Sequence, residues 1–74
     1  MKLTEVKVEC SRENGLLVPK ALFWNDEIRY EIDKVLFFSY SDDGEYEGCR
    51  YSVSINGTDR YLYLIEDHWY IEEV

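Results

Sequence analysis

The chain has 74 residues, 16% of them aromatic, and sixteen acids against eight Lys and Arg leave a net charge of −8. This length fits one small domain, residues 1–74, with one core and one binding face, and leaves little room for a substrate pocket of about 300–1,000 Å³. The charge excludes a module that grips a nucleic-acid backbone, and no apolar run suits a membrane span or a secretion signal, so the expected setting is cytoplasmic.

Period-two alternation dominates the chain. Thr4, Val6, Val8 and Cys10 alternate with Glu5, Lys7 and Glu9, as in a half-buried strand. Ser11-Arg12-Glu13-Asn14-Gly15 reads as a turn or loop. A second strand runs from about Leu16 to Trp24, with Pro19 confined to an edge or bulge because it lacks an N–H. Asn25-Asp26-Glu27 turns the chain into one long strand, Ile28 to Tyr40. Within it, Val35-Leu36-Phe37-Phe38 is apolar on both faces, which suits the centre of a sheet. A polar loop opens at Asp42-Asp43-Gly44.

Arg50–Ile55, Arg60–Ile65 and His68–Val74 then form a three-strand meander. Two registers compete at its first turn. With Asn56-Gly57 central, Val53 faces Arg60. With Gly57-Thr58 central, in a type II′ turn, Val53 faces Leu62 and Tyr51 faces Leu64. The second is expected, because it pairs apolar residues with each other. Counting around Glu66-Asp67 pairs Leu64 with Trp69 and Leu62 with Ile71. The core face is then Tyr51, Val53, Leu62, Leu64, Trp69 and Ile71, and the opposite face carries Ser52, Ser54, Tyr61, Tyr63 and Tyr70. The expected fold is all-β: a small six-strand antiparallel barrel or sandwich, similar in outline to Src-homology-3-like barrels.

The charge imbalance lies in two base-free runs, Asp42, Asp43, Glu45 and Glu47, and Glu66, Asp67, Glu72 and Glu73, with His68 inside the second. The chosen register sets Cys49 opposite Glu66, bringing the first run to the Glu66-Asp67 turn, while Glu73 faces Arg60. Asp42, Asp43, Glu45, Glu47, Glu66 and Asp67 are therefore candidate contacts for a basic protein partner, since complementary charge steers association. Tyr61, Tyr63 and Tyr70 are candidates because Tyr is enriched where proteins meet.

Catalytic signals are weak. The acidic loop lacks the alternating oxygens of an EF-hand, so no metal site is expected. His68 has no nucleophile in motif spacing, and Cys10 and Cys49 read as reduced core residues. No phosphate loop or nucleophile elbow occurs, so neither catalysis nor a cofactor is expected. The leading expectation is a non-catalytic protein-interaction module. The alternatives are an acidic, nucleic-acid-mimicking inhibitor from a phage or mobile element, and a small-ligand binder that stacks a nucleotide on tyrosine. A homodimer formed through an edge strand is also compatible.

Two segments carry a family likeness. Trp24-x-Asp26-x-x-x-Tyr30-x-Ile32-Asp33-x-Val35-Leu36 is one. Arg50-Tyr51-Ser52-Val53-Ser54-Ile55-Asn56-Gly57, continued by Tyr61-Leu62-Tyr63 and Trp69-Tyr70-Ile71-Glu72, is the other. Together they resemble short uncharacterised bacterial proteins, mainly of Gram-positive anaerobes. The resemblance covers about two-thirds of the chain and implies a shared β fold but no activity. This chain has Glu27 where those proteins usually carry Gly, and acids from Asp42 to Glu47 where they carry an Arg- and Lys-rich loop.

Overall fold

Paired left-handed residues set the hairpins. Asn14-Gly15, Asn25-Asp26, Asn56-Gly57 and Glu66-Asp67 all have φ between 51° and 83°, the conformation whose twist matches that of the strands it joins. The computed structural model describes residues 2–41 and 47–72. In it the turns connect β1 (Leu3–Glu13), β2 (Leu16–Trp24), β3 (Ile28–Glu31), β4 (Lys34–Ser41), β5 (Gly48–Ile55), β6 (Thr58–Ile65) and β7 (His68–Glu72). The strands form one antiparallel sheet in the order β3-β2-β1-β7-β6-β5-β4, curled into a half-barrel.

The protein is thus all-β, but with seven strands where six were expected. The expected long strand from Ile28 to Tyr40 is broken at Ile32-Asp33. Two successive amides there bond to opposite halves of the sheet: Ile32 N–H donates to Lys20 O at 2.9 Å, and Asp33 N–H to Ser54 O at 2.8 Å. The chain thereby leaves β2 for β5 and closes one corner of the half-barrel. Ile32, at the crossing, is buried in the core.

Strand β4 consequently lies at the end of the sheet, which corrects the central placement expected for Val35-Leu36-Phe37-Phe38. A bulge between Val35 and Phe37 lets both faces be apolar: Val35 opposes Val53 and Phe38 opposes Tyr51, while Phe37 opposes Ser52. An apolar run signals burial on both faces only if both faces are covered, and here neither is fully covered. Pro19 sits at the irregularity where β1 and β2 shift register beside Cys10, as its missing N–H requires.

The core gathers Val6, Leu22, Ile32, Tyr51, Val53, Ile55, Leu62, Trp69 and Ile71, with Leu64 packed against them. Five of the six expected core residues are buried, and Leu64 is half-buried. Tyr51 lies with its ring 5.0 Å from Phe38 and 5.3 Å from Trp69, and its hydroxyl donates to Leu17 O of β2 at 2.7 Å. That bond ties β5 to the far wall.

The β5–β6 register is the rejected one: Val53 opposes Arg60, Tyr51 opposes Leu62 and Ile55 opposes Thr58. Asn56 (φ 53°) and Gly57 (φ 76°) are both left-handed, giving a type I′ turn in place of the expected II′. The two registers differ by a two-residue slide of the partner, which leaves every side chain on the same face. Hydrophobic patterning therefore could not separate them, and turn chemistry did. The β6–β7 register is as expected, with Leu62 opposite Ile71 and Leu64 opposite Trp69.

Candidate functional site

The tyrosine face is only partly a surface. Tyr63 is 1% exposed, lies opposite Tyr70 and Arg50, and donates its hydroxyl to Glu72 Oε1 at 2.5 Å. Burial and the neighbouring Glu72 carboxylate push its hydroxyl up to about 12 from the usual 10, while Arg50 pulls the other way. Tyr63 therefore braces the convex side and is closed to a partner. Tyr70 is half-buried. Tyr61 is 40% exposed, with the Arg50 guanidinium 4.8 Å from its ring centre.

The acidic end is partly defined. Glu47, Glu66 and Asp67 are exposed; Asp42, Asp43 and Glu45 lie outside the described residues, as does Glu73. Cys49 opposes Leu64, correcting the expected pairing with Glu66. The end of β5 nevertheless meets the β6–β7 turn, because Gly48 packs against Leu64 and Ile65. His68, beside that turn, has Nδ1 2.8 Å from Glu5 Oε2. Among the described residues no group of three or more His, Cys, Asp or Glu is placed to hold a metal ion. Cys10 and Cys49 are free thiols; Cys49 is half-buried, which pushes its thiol up, but Cys10 is exposed and not the core residue expected. Alternation turned Cys10 inward on paper, but the adjacent bulge re-aims it.

Two features were missed by sequence reasoning. The first is the apolar edge: on β4, Phe37 is 60% and Tyr40 69% exposed, with Leu36 and Phe38 also open. Phe37 opposes Ser52, which opposes Tyr61, so these two aromatics share the convex face across a small residue. Lys34 is the only charged residue of this strand.

The second is a cleft of about 320 Å³ at one end of the half-barrel, where little room was expected. Leu22 and Trp24 of β2 and Tyr30 of β3 form one wall, and Ile55, Asn56, Thr58 and Arg60 of the β5–β6 hairpin form the other. Alternation carried a signal for Arg60, since it is in phase with Leu62 and Leu64 on the inward face. Another cleft, between the start of β1 and the β2–β3 turn, contains Lys7 and Asp26, which pair with each other at 3.5 Å.

No known family, curated protein or solved structure matches this chain.

Proposed function

We propose that the protein is a non-catalytic interaction module that takes up an extended basic segment of a partner protein as an added strand along β4. The observation that carries this reading is a sheet edge unpaired among the described residues, with Phe37 and Tyr40 exposed and one charge, Lys34, along its eight residues. Sheet edges in soluble proteins are commonly blunted by charge, proline or brevity, and an unblunted edge offers main-chain hydrogen bonds plus alternate side-chain pockets to an incoming strand. Charge selects the partner: a net −8 repels a second copy and attracts a basic chain. Glu47 and the Glu66-Asp67 turn add acid near the far end of β5, the strand next to β4. A nucleic-acid-mimicking inhibitor is less supported, since Glu9, Glu13 and Glu31 are already paired with Arg29 and Lys20.

The test uses a peptide of alternating Lys and Val, followed by amide chemical shifts. Shifts confined to β4 and its neighbours, weakened by salt and abolished by N-methylation of the peptide or by Phe37→Lys, are expected. Binding elsewhere, no binding at low salt, or concentration-dependent dimers in light scattering would overturn the proposal.

A further inference from the structure

We infer that the cleft between β2–β3 and the β5–β6 hairpin is a binding site for a small monocarboxylate carried on a flat apolar body, anchored by Arg60. The site is independent of the β4 edge. Its anchor differs from the ion-paired cations Lys7, Lys20 and Arg29, all three of which are substantially exposed. Arg60 is half-buried in a cleft floored by Leu22, Ile55 and Ile71, and its Nε is buried with no hydrogen-bond partner among the described residues.

Arg60 lines the cleft as its one cationic residue, and a carboxylate is the group that pairs with a guanidinium edge through two parallel bonds. The rest of the cleft specifies the body. Trp24 and Tyr30 supply half-buried aromatic surface opposite Arg60, and the floor is aliphatic. A volume of about 320 Å³ holds roughly a dozen non-hydrogen atoms if each takes somewhat less than the ≈ 30 Å³ share of a liquid water. That fits an aryl or indolyl acid and is too small for a nucleotide. One guanidinium in a protein of charge −8 also suits a monoanion better than a phosphate dianion.

The geometry is held from outside the cleft. Asp33, at the β3–β4 corner, accepts a hydrogen bond from Gly57 N–H at 3.4 Å, which links the turn bearing Asn56 to the opposite wall. The type I′ register matters here. The alternative slide would place Leu62 opposite Val53 and move Arg60 two residues along the strand.

The experiment titrates indole-3-acetate, phenylacetate, their uncharged amides and adenosine monophosphate into the protein. It follows tryptophan fluorescence and the side-chain signals of Trp24, Tyr30 and Arg60. Saturable binding of the acids is expected, with at least tenfold weaker binding of the amides and of the nucleotide. Arg60→Met should lose at least tenfold in affinity while keeping its circular dichroism and a melting temperature no lower than that of wild type, because the substitution removes an unsatisfied donor. Arg60→Lys, which keeps the charge but loses the fork, should bind more weakly than wild type. Equal binding of acids and amides, preference for the nucleotide, or Arg60→Met binding like wild type would overturn the inference. Binding that appears only in Glu73→Gln would also overturn it, showing that the chain's own carboxylate holds Arg60.

Discussion

Replacing Tyr63 with phenylalanine removes one oxygen from the convex side and leaves the ring packing in place. The hydroxyl is buried and bonds to the Glu72 carboxylate at 2.5 Å. Hydrogen bonds to charged groups contribute about 1.5–3 kcal/mol. Glu72 is half-buried and regains water on loss of its partner, so the expected cost at pH 7 is about 1–2 kcal/mol. The sign then changes with pH. The folded state holds the Tyr63 hydroxyl at about 12 against an ordinary 10, so the unfolded chain loses its proton first. Stability from the neutral phenol is complete below pH 10 and falls at about 1.4 kcal/mol per pH unit as pH rises toward 12. Over that window wild type should lose about 2–3 kcal/mol that Tyr63→Phe does not. The two proteins should therefore cross near pH 11, with the phenylalanine variant the more stable above it. Tyr51, whose hydroxyl burial also pushes up, titrates in both proteins and cancels in the difference. Urea unfolding followed by tryptophan fluorescence between pH 7 and 12 measures this. A stability difference that stays constant with pH, or a phenylalanine variant as stable as wild type at pH 7, would refute the reasoning.

Two further substitutions test the backbone. At Gly48 (φ 156°) an added Cβ would meet Leu64 O at 2.2 Å, a backbone atom that cannot turn aside, so Gly48→Ala should lower stability by more than about 2 kcal/mol in denaturant titration; a loss under 0.5 kcal/mol would contradict that close approach. Glu66 and Asp67 occupy left-handed conformations (φ 51° and 67°), which cost about 1–2 kcal/mol per ordinary residue, so Glu66→Asn with Asp67→Gly should raise the melting temperature by several degrees, and an unchanged or lower value would show that the acids stabilise the turn in another way.

Alternation alone was enough to identify an all-β chain and to sort Tyr51, Val53, Leu62, Trp69 and Ile71 onto one buried face, because side chains in a strand alternate between sides whatever the partner. It also located the β1–β2, β2–β3 and β6–β7 turns, and the Leu62–Ile71 and Leu64–Trp69 pairs. Three things needed the tertiary structure. Two registers of the β5–β6 hairpin share the same inward residues, so only the left-handed pair Asn56-Gly57 could decide between them. The break at Ile32-Asp33 follows from which strands accept those two amides, and no local pattern records that. Whether an apolar strand is covered depends on its neighbours: Val35 to Phe38 read as a core strand, yet β4 ends the sheet with Phe37 and Tyr40 open. The same holds for the candidate sites. Tyr63 and Tyr61 share one face in the sequence, and packing buries the first while leaving the second exposed. Arg60 is one more polar residue in a strand until β2 and β3 curl over it and turn its position into a cleft.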